Sequence, residues 1–169
     1  MSADIIFETP EHNFVLVHPQ VWSVMHGFVQ RGASDAEGGG ILIGSYRGKH
    51  IEISSCTTPM PLDVRKRTLF DRLDRGHQKA ALNAWNSSGR TDTYVGEWHT
   101  HPECHPNPSP LDRRTWRKII NKQANPAVFI ILGTVTVRAF KGVSNIFEDL
   151  RLLGYDAQMK SITAQAEAM

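Results

Sequence analysis

The chain has 169 residues, 40% of them hydrophobic and 21% charged, with a formal net charge of +2. A chain of this length suits one domain that buries roughly 70% of the surface its unfolded form exposes, and the balance argues against a disordered, fibrous or strongly nucleic-acid-attracting protein. Cys56 and Cys104 are too few for a disulfide framework, and the longest apolar run, AVFIIL at 127–132, falls far short of a membrane span.

The chain opens MSADIIFETPEH, without a basic or apolar leader, so a cytoplasmic protein with reduced thiols is expected. DIIFE and NFVLV read as short strands. Val21, Val24, Met25 and Phe28 then fall at helical spacing after His18-Pro19, where proline suits the first turn. EGGGILIGSY (37–46), the turn RG and KHIEIS (49–54) read as an antiparallel hairpin. Gly38, Gly39, Gly40 and Gly44 would weaken a strand unless another backbone or a helix approaches closely. Glu37 stands at the mouth of that strand.

TTPMPLD (57–63) reads as a loop, and DRGHQKAALNAWNSSG (74–89) as a helix ending at Ser-Gly. The strand TDTYVGEWHTH follows, then a proline-rich loop and a helix from Ser109. A second apolar hairpin is expected over 127–140 and a short final helix at NIFEDLRLLGY. The last dozen residues read as a frayed tail or surface helix, giving a domain over 1–156 and a tail over 157–169. The basic runs RKR (65–67) and RRTWRK (113–118) read as solvated surface, with docking of an acidic protein partner as the sharper alternative.

The segment GEWHTHPECHPNPSPLD (96–112) concentrates the chemistry. Residues two apart in a strand share a face, so His99 and His101 can converge on one ion. Ser109, Pro110 and Asp112 form a helix start in which serine caps, proline takes the first turn and the aspartate sits as in a capping box. That role does not prevent Asp112 from presenting an oxygen ligand from a rigid position. Two histidines and one carboxylate form the open ligand set of hydrolytic zinc, which also needs a free carboxylate to carry a proton to the leaving nitrogen.

Glu37, His99-Thr100-His101, the seven residues PECHPNP, Ser109, two residues and Asp112 together match the signature of the JAMM (MPN+) metallopeptidases, which this chain resembles from about Val17 to Phe140. The resemblance implies an α/β MPN (JAB) fold, a curved mixed sheet with antiparallel hairpins flanked by helices. It implies one catalytic Zn²⁺ held by His99, His101 and Asp112, with Glu37 shuttling the proton and Ser109 stabilising the oxyanion. Family members cut isopeptide or peptide bonds after the C-terminus of ubiquitin or ubiquitin-like proteins. Short members with GEWHTHP look like the deconjugating peptidases of CBASS antiphage operons. There the implied substrate is the conjugated C-terminal tail of a cGAS/DncV-like nucleotidyltransferase, attached by a ubiquitin-activating and conjugating-like enzyme. Alternatives are a peptidase acting on a small ubiquitin-like or sulfur-carrier protein, and a non-catalytic MPN scaffold. No direct nucleic-acid or membrane partner is expected, and Cys104 and His105 are read as bystanders to the metal.

Overall fold

The computed structural model describes residues 4–153. The proposed tail over 157–169, and with it the boundary at 156, lies outside the described residues. Among the described residues, ten strands and three helices follow one another as β1 (Ile5–Glu8), β2 (Phe14–Val17), α1 (Pro19–His26), β3 (Gly39–Arg47), β4 (His50–Cys56), β5 (Val64–Lys66), β6 (Leu69–Asp71), α2 (Gly76–Ser87), β7 (Thr93–Thr100), α3 (Pro110–Asn121), β8 (Ala127–Leu132), β9 (Val137–Val143) and β10 (Ile146–Leu153). Eight strands close on themselves in the order β1, β10, β9, β8, β7, β3, β4, β2, while β5 and β6 form a separate hairpin. The sheet is mixed because β2 pairs with β4, and β7 with β8, in parallel.

Strand β8 shows how the sequence builds two cores. All six of its residues are buried, as expected of a strand covered on both faces. With side chains alternating sides, Val128, Ile130 and Leu132 enter the large core with Val17, Met25, Leu42, Ile53 and Trp98. Ala127, Phe129 and Ile131 face the other way, into a smaller core closed by Trp116 and Ile120 of α3. There the Trp116 ring stacks on Phe129 with centroids 4.6 Å apart.

The glycines of β3 carry the close approaches expected of them. A Cβ on Gly40 would lie 2.1 Å from the Thr57 carbonyl oxygen, and one on Gly39 would lie 2.4 Å from the Phe70 ring. Both hairpins read from the sequence form, β3 with β4 and β8 with β9.

The expected final helix at NIFEDLRLLGY does not form. Residues Ile146–Leu153 are strand β10, paired with β9 and β1. The turn before it places Ser144 and Asn145 at φ of 49° and 64°, the left-handed pair that a two-residue hairpin demands. Ile146, Phe147 and Leu150 satisfy either period, and two waiting strand edges decide for the sheet. The hairpin β5–β6 is an addition, since it uses the RKR run that reads as loop.

Candidate metal centre

Strand β7 alternates between the large core and a cleft. Trp98 and Thr100 point inward and are buried, whereas Glu97 and His99 line the cleft, joined by His101 just past the strand end. The two histidines share a face as their spacing predicts, and their Nε2 atoms lie 3.0 Å apart. Across the cleft, α3 begins with the expected cap: the Asp112 N–H donates to Ser109 Oγ at 3.0 Å, and the Ser109 N–H donates to Asp112 Oδ2 at 2.7 Å. The same carboxylate reaches the imidazoles, with Oδ1 3.3 Å from His99 Nε2 and Oδ2 3.2 Å from His101 Nε2. Capping and ligand geometry coexist in Asp112.

Those separations test whether a metal fits. A tetrahedral zinc with N and O ligands at about 2.0–2.1 Å places neighbouring ligand atoms about 3.3 Å apart. The three donor atoms here lie within 4.8 Å of one another, and their closest separations fall near that tetrahedral edge. His101 Nδ1 is buried without a hydrogen-bond partner, 3.7 Å from Glu103 Oε2. Two imidazole nitrogens and a carboxylate turned toward one point form a donor set that a divalent ion fits.

Glu37 completes the cluster from another element. The antiparallel register of β3 and β7 pairs Gly39 with His99, which carries Glu37 toward His101. Its buried carboxyl lies 4.0 Å from His101 Nε2. Burial pushes the Glu37 carboxyl up to about 8; His101 opposes the shift, and the Asp112 and Glu103 charges add to it. Burial alone would raise Asp112 too, but the two imidazoles and the Ser109 N–H outweigh it and hold that carboxyl well below the ordinary range.

Several supports have no sequence signal of their own. The Glu37 N–H donates to the Lys66 carbonyl at 2.9 Å, and Arg65 Nε donates to the Glu37 carbonyl at 2.7 Å. The RKR run is exposed, as the solvated reading expects, and Arg65 and Lys66 also clamp the backbone of Glu37. Thr100, between the two histidines but on the opposite face, accepts from the Gly38 N–H and donates to buried Gln30. Arg72 donates to Glu97 at 2.6 Å along one wall of the cleft. Cys104 and His105 face solvent outside the ligand cluster, and His105 contacts Thr136.

A second histidine network is buried outside the cleft lining. The side chains of His77 and Asp63 are fully enclosed, 2.7 Å apart, and His77 Nδ1 meets Thr57 Oγ1 at 2.6 Å. Thr57 Oγ1 also accepts from the Ile41 N–H at 2.9 Å, and because Thr57 and His77 are buried away from the cleft lining, this Thr-His-Asp chain is a brace.

Residues 18–143 match the family model described as prokaryotic homologs of the JAB domain. The chain belongs to this family. It is a JAMM metallopeptidase by that membership, and a metal ion is implied. Similar proteins include a Pseudomonas aeruginosa protein named CD-NTase/cGAS isopeptidase, 45% identical over 107 residues that cover 62% of this chain and 68% of that one. An Escherichia coli protein of the same name is 31% identical over 148 residues, covering 88% of this chain and 94% of the other. A Sinorhizobium fredii protein named probable metalloprotease is 30% identical over 105 residues, 59% and 64% of the two chains. The solution structure of Desulfitobacterium hafniense protein DSY2949 superposes with a TM-score of 0.60 at 15% identity, over 85% of this chain and 94% of that one; this likeness speaks to the fold alone. Among the described residues, no helix is long and apolar enough to cross a membrane.

Proposed function

We propose that this JAB-family chain is a cytoplasmic zinc isopeptidase that releases the C-terminal tail of a conjugated CD-NTase/cGAS-like nucleotidyltransferase, reversing a ubiquitin-like conjugation in antiphage defence. The observation that carries the reading is the meeting of His99, His101 and Asp112, with the Glu37 carboxyl 4.0 Å from His101. The names of the relatives support the choice of substrate. His99, His101 and Asp112 hold the ion in this reading. When bound, zinc supplies Lewis-acid polarisation of the scissile carbonyl and acidification of water.

Glu37, buried beside the ligands, would be held as a carboxylate by the charge of a bound dication despite the upward push of burial, and so can accept the proton of the attacking water and return it to the departing amine nitrogen. Arg65 and Lys66 fix its backbone so that the carboxylate keeps one position through both transfers. Ser109 Oγ already accepts the Asp112 N–H through a lone pair, which leaves its hydrogen to donate to the carbonyl oxygen as charge develops there. Nothing covalent is required of the protein.

A full-length nucleotidyltransferase carrying a reporter protein on its C-terminal tail tests the reading. The wild type cleaves at the junction, a zinc chelator abolishes cleavage, and Glu37→Gln retains zinc by elemental analysis while losing about 10²- to 10⁴-fold in kcat. Cleavage by Glu37→Gln at the wild-type rate, or none by the zinc-loaded wild type, would sink it.

A further inference from the structure

We propose that two cleft-lining lysines, Lys118 of α3 and Lys122 at its C-cap, make the enzyme selective for a tail that is acidic at alternate positions upstream of the scissile bond. This proposal rests on the isopeptidase reading above.

The cleft that holds the candidate metal centre continues along α3. Its lining includes exposed Leu111, Leu69 and Phe70 of β6 and the carboxylates Asp71 and Glu103, and, six and ten residues beyond Asp112, the basic Lys118 and Lys122. Arg72 shares the cleft, but its charge is taken up by Glu97. Neither lysine has a carboxylate within 4.0 Å among the described residues. Two cations thus face the path of the substrate without a protein partner.

Their spacing fits an extended chain. Positions four apart on a helix advance about 6 Å, while alternate residues of a strand on one face repeat at roughly 6.6 to 6.8 Å. Measured along the helix axis from Asp112, Lys118 stands about 9 Å away and Lys122 about 15 Å, which an extended chain covers in about three and five residues. In an isopeptide the amine side is a lysine side chain, so the extended strand leading away from the scissile carbonyl is the tail. Acidic side chains at its third and fifth residues before the bond would meet Lys118 and Lys122, and an apolar residue nearer the bond would meet Leu111 and Phe70. Lys118 and Lys122 are exposed, as are the further α3 cations Arg113, Arg114 and Arg117, but those three do not line the cleft. A nucleic acid would use those as readily, but the chain's net charge is only +2, and only the two lysines line the cleft that holds the metal ligands.

Three fusion substrates differing only at the third and fifth tail residues, both Glu, both Gln or both Lys, test this with the zinc-loaded full chain. The Glu tail is expected to exceed the Gln tail about fivefold in kcat/KM at low ionic strength, mainly through KM, with the advantage shrinking as salt rises. The double variant K118E/K122E is expected to reverse the ranking and favour the Lys tail, an inversion that loss of structure cannot produce. Equal cleavage of Glu and Gln tails, or an unchanged ranking in the variant, would overturn the proposal. Fluorescence anisotropy with labelled tail peptides separates it from the isopeptidase reading. If no tail is cut yet the Glu peptide binds more tightly than the Gln peptide, cleavage specificity fails and tail selection stands. Equal binding, or tighter binding of an oligothymidylate than of the Glu peptide, refutes tail selection.

Discussion

At the scale of the residue, the site depends on side chains serving local structure and chemistry together. Ser109 both caps α3 and offers a hydroxyl hydrogen to the cleft, and the two roles are separable by substitution. Ser109→Ala should cost about 0.5–2 kcal/mol of stability through the lost cap and, independently, about 10²- to 10³-fold in kcat through the lost donor. Ser109→Thr keeps an oxygen in the capping position and should preserve the melting temperature. Thermal unfolding and turnover of both variants distinguish the roles, and a lower melting temperature with unchanged kcat would confine the hydroxyl to capping. The histidine pair and the cap are legible in the sequence because each rests on fewer than five consecutive residues. Glu37 is legible only through the family signature, since no local rule links it to residues far along the chain.

At the scale of the element, α3 and the segment between β4 and α2, with its β5–β6 hairpin, contribute two walls of the cleft. Trp116 ties α3 to the sheet through Phe129, Phe140 and Phe147, and its ring centroid lies 6.4 Å from that of His99. Trp116→Ala should therefore destabilise the protein by about 3–5 kcal/mol and weaken metal binding by displacing the first turn that presents Asp112. Denaturant unfolding and metal titration measure the two effects, and Trp116→Phe should recover most of both. The opposite wall hangs on Asp63, which accepts from the backbone N–H groups of Met60, Leu73 and Asp74 and from His77. Burial by itself would raise this carboxyl, but the Asp74 and Met60 N–H groups and the His77 imidazole hold it below the usual aspartate range. A depressed carboxyl stabilises the fold above its unfolded value and loses that contribution as pH falls through the folded one. The urea midpoint should accordingly drop on acidification below about pH 4. Asp63→Asn should start less stable at neutral pH and show a shallower acid decline; equal slopes would remove Asp63 from the account.

At the scale of the molecule, the closed sheet brings β3, β7 and the start of α3 to one place, and a bound ion would fasten strand to helix across the cleft. Metal that binds the folded chain alone at a hundredfold excess over its Kd adds about 2.7 kcal/mol. For a domain of this size that corresponds to a melting temperature roughly 5–10 °C higher than after chelation. Differential scanning fluorimetry with a chelator, followed by zinc add-back, measures the shift. A melting temperature unmoved by either treatment would mean that the three ligands do not hold an ion under those conditions. The same long-range pairing explains the final segment. Its apolar residues fit a helix or a strand, and only the edges of β9 and β1 select β10.

The sequence by itself determined what short-range chemistry controls: the alternation that places His99 and His101 on one face, the Ser109–Asp112 cap, the two apolar hairpins and the glycines that admit close backbones. Tertiary structure alone decided which distant segments meet. The β3–β7 register carries Glu37 to His101, the β5–β6 hairpin turns Arg65 and Lys66 into its clamp, and the sheet edges make β10 a strand. Strand pairing has no local period in the sequence, because its hydrogen bonds join backbones whose separation along the chain is set by the whole fold.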